Sequence, residues 1–282
     1  MSPDLLAALF ALVSAALHAT WNALVKVRGD RLVVMALMTG VCAVLGFPLI
    51  LVFPDVNLAC APYLAGTITV HTAYYWTLLQ SYRFGDLSHA YPLARGSAPM
   101  LLTLAAPLTL AETFNAAEIA GVATISIGIL TLVGWRRDKM GDWRAIAFPL
   151  ATGVIIASYT TLDALGVRAS GSPYGYVGWL FFLDGILLPA YVLVRRPLAM
   201  REAARTSAPM LLAGGLAMTL GYGLVLIAFS FGSAAHVAAL RETSVILAAL
   251  IGTRLLGEPF GLRRVVAAVL VAVGAIILEL GG

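Results

Sequence analysis

Charge is what this sequence has least of. Asp, Glu, Lys and Arg make up 11% of its 282 residues, against roughly 25% in soluble domains, and no charged stretch is long enough to fold as a water-facing domain. No phosphate-cradling glycine loop is present, so pumping by nucleotide hydrolysis within this chain is excluded. Cysteine is almost absent as well: Cys42 and Cys60 show neither metal-ligand spacing nor a disulfide framework, and read as small apolar packing residues. Nor is there a His-Glu-x-x-His, a Gly-x-Ser-x-Gly or an aspartate cluster. The expectation is therefore a protein that is not an enzyme and holds neither a metal nor a cofactor. Its first residues, Met1-Ser2-Pro3-Asp4, lack the positive start of a signal peptide, and no cleavage is expected.

What the sequence has in abundance is apolar length. Hydrophobic residues make up 61% of it, and about 20 helical residues cross a hydrocarbon layer. Ten such runs appear, at about 5–27, 32–53, 61–80, 87–110, 116–134, 145–166, 174–194, 208–231, 234–256 and 261–280. Turn-like or charged breaks separate them, such as Arg28-Gly29-Asp30-Arg31 and Gly171-Ser172-Pro173. The fold expected is an all-α polytopic membrane protein of ten transmembrane helices.

The chain also repeats itself. A shift of 147 residues superposes Phe84 on Phe231, Gly85 on Gly232, His89 on His236, Leu93 on Leu240 and Ser97 on Ser244, and after a one-residue slip Glu112 falls on Glu258 and Gly128 on Gly274. The front of each half echoes too, Asn22 matching Asp163. Five spans per half is an odd number, so the halves must enter the membrane in opposite senses. The domains expected are two inverted five-helix repeats, 1–134 and 145–282, joined by a loop at 135–144. The net charge of +4 is a topology signal rather than a nucleic-acid patch. Fifteen of the 18 basic residues lie in or beside the links after the first, third, fifth, seventh and ninth runs. Arg168 alone lies on the other side, and Arg95 and Arg241 lie within runs. By the positive-inside rule the rich side is cytoplasmic and both termini face the periplasm of a bacterium's inner membrane.

The candidate site follows from polar groups at depth. Residues 85–112 form a span carrying Arg95 and three prolines, Pro92, Pro99 and Pro107. A mid-membrane arginine costs from ~3 to more than ~10 kcal/mol and so faces protein or water, while each proline frees a carbonyl that lipid cannot satisfy. That span reads as a cavity wall. Arg241 and Glu242 lie at similar depth in the ninth run, and the repeat sets Arg95 opposite Glu242. These two either pair with each other, leaving Arg241 unneutralised, or take part in binding or coupling. Asp184 sits alone in the seventh run, as a proton carrier or the partner of an arginine. His71, followed by Tyr74, Tyr75 and Trp76, could bind solute, shuttle protons or simply pack, and Tyr222 is the repeat partner of Tyr75. Asp163 and Asn22 read as helix-end polar contacts.

The two five-helix halves, the Gly257-Glu258-Pro259-Phe260 turn, the glycines Gly128 and Gly274, and the His18-Ala19-Thr20-Trp21-Asn22 run resemble EamA-type members of the drug/metabolite transporter superfamily. His18 to Asn22 and Ala239-Leu240-Arg241-Glu242-Thr243 are also similar to a phosphonate-utilisation-associated permease subgroup. The resemblance implies a carrier whose central cavity is lined by the third, fourth, eighth and ninth helices. The function expected is secondary transport of a small anionic or zwitterionic metabolite. Its site would hold Arg95, Arg241, Glu242, Asp184, His71, Tyr75 and Tyr222, with solute movement coupled to protons when a carboxylate is displaced from its arginine. The partners expected are that small-molecule substrate and the lipid bilayer, with no nucleic acid. A lipid-handling protein such as a flippase, and behind it a membrane enzyme, are the alternatives.

Overall fold

The computed structural model describes residues 2–27, 30–84, 87–133, 142–247 and 261–281. Among them there is no strand. The helices are α1 Pro3–Val27, α2 Arg31–Val52, α3 Ala61–Phe84, α4 Leu87–Thr109, α5 Ala116–Leu130, α6 Arg144–Ser170, α7 Pro173–Arg195, α8 Pro197–Thr206, α9 Ala208–Ala228, α10 Ala234–Arg241 and α11 Leu262–Gly281, with a 3-10 turn at Leu58–Cys60 before α3. Residues 135–141 of the expected loop, the Gly257–Phe260 turn and the ninth run beyond residue 247 lie outside the described residues, as does the Tyr75 side chain.

Local chemistry sets the helix ends. Asp30 accepts a hydrogen bond from the Leu32 amide at 3.0 Å and starts α2. Asn115 and Glu118 form a reciprocal capping box on α5. Ser233 caps α10, and Gly171, at φ 63°, stops α6 in the left-handed conformation that glycine tolerates. Among the described residues, six helices are long and apolar enough to cross a membrane: those beginning at Pro3, Arg31, Arg144, Pro173, Ala208 and Leu262. With the shorter apolar α5, they make a polytopic membrane protein. The long helices α3 and α4 are not among the six because histidine, arginine, prolines and hydroxyl residues interrupt their apolar surface, and they carry His71 and Arg95 into the interior. Large side chains face outward as lipid contact requires; Leu108 is 92% exposed.

Two local features depart from the sequence pattern. The link between the seventh and eighth runs contains a helix, α8, which starts on Pro197 and buries none of its residues. In the proline-rich span, α4 stays helical through Pro92, Pro99 and Pro107. Thr103 Oγ1 donates to the Pro99 carbonyl at 2.9 Å, adding a side-chain bond within the segment. The ninth run, without a proline, is the one that breaks. After Arg241, the Glu242 and Thr243 amides donate to Ala239 and Leu240, a tight three-residue spacing, before helix resumes at residues 244–247. Such a tightened turn inside a span often marks a hinge or a site.

The helices pack chiefly as α2 on α7 and α9, α5 on α11 and α4, α3 and α4 on α6, and α1 on α9, with a smaller contact of α1 on α10. The α5/α11 crossing is close enough to require glycine: a Cβ on Gly274 would lie 2.7 Å from the Ile125 nitrogen and 2.8 Å from the Gly121 carbonyl oxygen. One continuous apolar core runs from Ala7 through Leu102, Ile125, Tyr176 and Phe229 to Leu278, and the polar groups are set within it.

Candidate functional site

Arg95 and Glu242 meet side-on. Arg95 Nη2 lies 2.6 Å from Glu242 Oε1, and its Nε donates to Oε2 at 3.1 Å. Both are buried, at 6% and 4% exposure. The continuous α4 carries the arginine, and the glutamate lies in the turn that ends α10. Two charges withdrawn from water in this way offset their desolvation by neutralising each other, with one charge-assisted hydrogen bond from Nε to Oε2.

Arg241, one residue earlier, points elsewhere. Its guanidinium carbon lies 5.4 Å from the centre of the Tyr222 ring on α9, a distance at which a cation is attracted to the ring face. Among the described residues it makes neither an ion pair nor a hydrogen bond. Arg95, Arg241 and Glu242 line a small cavity with Ala98, Leu102, Ile156, Thr160 and Phe229. Its volume of about 20 Å³ is room for about one water molecule.

Tyr222 is the junction between this cluster and a second one. Its hydroxyl donates to Asp163 Oδ2, and its ring centre lies 6.5 Å from that of His71. Asp163, on α6, has no exposed surface, and its other oxygen accepts from the Tyr176 hydroxyl at 3.1 Å. His71 packs edge-on against Tyr159 at 4.6 Å and sets its Nδ1 3.4 Å from Asp184 Oδ1. The described side chains of the expected site thus stand in two adjoining groups. Arg95, Glu242 and Arg241 form one, and His71 and Asp184 the other, with Tyr222 touching both. Asp184 turns to His71 rather than to an arginine.

Asp163, Tyr176 and Tyr159 were not placed in the site from the sequence. Asp163 was read as a helix-end contact, whereas it lies fully inside the bundle between hydroxyls of α7 and α9. The one signal for it was its repeat partner, an amide at Asn22 where this half has an acid.

At one end of the bundle, Glu112 joins three segments. Its carboxylate accepts from Arg168 Nη2 at 2.6 Å, from Ser233 Oγ at 2.8 Å and from the Ala234 amide at 2.9 Å. Arg168 also donates to the carbonyls of Phe229 and Gly232. The preceding residue, Ala111, takes φ 54° to aim Glu112 at the start of α10. No group of three or more His, Cys, Asp or Glu able to hold a metal ion occurs among the described residues.

Fold and site together define a helical, polytopic membrane protein with a charged interior, the class to which transporters belong. Residues 143–280 match the model of the EamA-like transporter family, the family that the chain's motifs resemble. A solved crystal structure of a protein superposes on 99% of this chain and 97% of its own, with a TM-score of 0.77 at 16% identity, so the likeness in fold extends through the first half as well. No curated protein matches the sequence.

Proposed function

We propose that the chain is a secondary carrier in the inner membrane of a bacterium, both termini periplasmic, built of ten spans as two inverted five-helix repeats, 1–134 and 145–282, joined by 135–144. It moves a small anionic or zwitterionic metabolite by alternating access. The pairing of helices supports the repeat. Exchanging the halves carries α1 to α6, α2 to α7, α3 to α9, α4 to α10 and α5 to α11. The α2/α7 and α5/α11 contacts then map onto themselves, α3/α6 onto α1/α9, and α4/α6 onto α1/α10.

The observation that carries the solute class is the contrast between two arginines. Arg95 is taken by Glu242, whereas Arg241, which lines the same cavity, is paired with no carboxylate among the described residues and lies over the Tyr222 ring face. A partly exposed guanidinium lining the cavity and unpaired with any carboxylate among the described residues is a ready partner for a carboxylate, phosphate or phosphonate group, which it grips with two parallel bonds. The cavity as it stands is too small for such a solute. Binding therefore requires the halves to separate, and the turn at Glu242–Thr243, between both charged groups and the rest of the span, is where we place that movement.

The test is uptake by purified protein in liposomes, using labelled aminoalkylphosphonate, neutral amino acids, a dicarboxylate and a polyamine, with lipid scrambling followed in the same vesicles. Uptake of an anionic or zwitterionic probe without scrambling is the expected result. Scrambling without uptake would transfer the protein to the lipid-handling class.

A further inference from the structure

We propose that Asp163 is a proton-binding site of the carrier, and that Tyr222 transmits its protonation to Arg241. The inference deepens the transport reading and rests on it for its purpose, though not for its chemistry.

Among the described residues, Glu242 and Asp163 are the two acids buried below a tenth of their surface, and their partners differ in kind. Glu242 faces a guanidinium, which only donates, so it must stay an acceptor at both oxygens. Asp163 faces two phenolic hydroxyls, from Tyr176 and Tyr222, and a hydroxyl both donates and accepts. With Asp163 ionised, each of its oxygens accepts one O–H. With a proton on Oδ2, that O–H donates to the Tyr222 oxygen, the Tyr222 proton turns away, and Tyr176 still donates to Oδ1. One proton has been added, no covalent bond other than that O–H has formed or broken, and no hydrogen bond to Asp163 has been lost. Neither form strands a buried polar group on the aspartate, which is what a reversible proton site inside a membrane bundle needs.

His71, on α3, is a titratable neighbour whose charge Asp163 feels when the imidazole is protonated, and Thr67 of the same helix also faces it. From α3, His71 is engaged with Asp184; from α4, Arg95 is engaged with Glu242; Cys60, in the turn before α3, is a buried free thiol. From α10, Arg241 reaches it only across the Tyr222 ring. Tyr222 thus has a carboxyl at its hydroxyl and a guanidinium over its face. Neutralising Asp163 removes a negative charge that attracts Arg241 and frees that guanidinium for a solute anion, so proton and anion bind with positive coupling, each strengthening the other by the same factor. The repeat supplies no second site: Asn22, the partner of Asp163, is an amide whose nitrogen donates to the His18 carbonyl at 2.8 Å.

Infrared difference spectroscopy of the protein in lipid nanodiscs, titrated with acid and base and without any solute, tests this directly. The wild type is expected to show a carboxylic-acid carbonyl band that titrates. That band should be lost in Asp163→Asn and displaced in frequency and midpoint in both Tyr222→Phe and Tyr176→Phe, which keep the carboxyl but remove one hydroxyl. A titrating band that survives in Asp163→Asn, the absence of any titrating band, or indifference to both tyrosine changes would overturn the proposal. If Asp163→Asn does not fold, the tyrosine variants still decide it. Because no solute is present, failure here leaves the Arg241 reading standing, and failure of uptake leaves a titrating Asp163 standing.

Discussion

Glu242 and Asp163 are buried carboxylates in one bundle, yet they stand in different chemical settings. Glu242, at the break after α10, is neutralised by Arg95 and is fixed as an ion. Asp163, in the unbroken α6, is held by two hydroxyls and can exchange a proton without losing a partner. The first setting gives definition: two helices from different halves of the chain are tied at one point. The second gives reversibility. A carrier that moves a charged solute needs both, and here they are joined by Tyr222, which touches Asp163 with its hydroxyl and Arg241 with its ring.

The largest effect should come from breaking the ion pair on one side only. Arg95→Ala or Glu242→Ala leaves a buried charge uncompensated and is expected to lower unfolding stability by about 3–5 kcal/mol. The double change Arg95→Met with Glu242→Leu should recover most of that loss, because the pair itself contributes little net stability once desolvation is counted. Denaturant unfolding in detergent measures this. A double variant as unstable as the singles would mean that the pair is needed for the fold.

A smaller loss is expected around Asp163. Tyr176→Phe or Tyr222→Phe removes one donor from a fully buried carboxyl, a change of about 1–3 kcal/mol, whereas Asp163→Asn keeps one acceptor and gains a donor and should stay within about 1 kcal/mol of the wild type. Glu242→Gln, the same substitution in chemical terms, should cost more, since it leaves the Arg95 charge without a counter-ion. Equal costs for the two amides, read by the same unfolding experiment, would erase the distinction between the settings.

The smallest effect sharpens the comparison from outside it. Ala111 holds φ 54° beside Glu112, and its repeat partner in the sequence is Gly257. Ala111→Gly relieves a conformation unfavourable to L-residues and should raise stability by up to about 1 kcal/mol. No gain in melting temperature would indicate that the turn is relaxed.

Much of this architecture was legible in the sequence because apolar length and positional repetition are properties of a single chain. The expected spans that the structure describes are helical, and the repeat set Arg95 opposite the residue it meets, Glu242. Partner choice was less legible. Asp184 was equally compatible with an arginine or with a proton until the fold brought His71 to it. Asp163 reads in sequence as one acid two turns from a helix end, and nothing in a linear pattern announces that Tyr176 and Tyr222, from two other helices, enclose it. The helix break is a further case: prolines mark α4 as the irregular span, yet it stays helical, while the turn at Glu242–Thr243 carries no breaker residue. What places it there is tertiary, the approach of Glu242 to Arg95.

The account depends most on Arg241 being the cation that a solute uses. Uptake of the labelled anionic and zwitterionic probes into proteoliposomes should be compared across wild type, Arg241→Lys and Arg241→Ala, with folding checked by thermal unfolding. The expected result is a roughly tenfold weaker apparent affinity for lysine, which lacks the planar fork, and loss of uptake for alanine in a protein that remains folded. Uptake of those probes at wild-type affinity in both variants would contradict it.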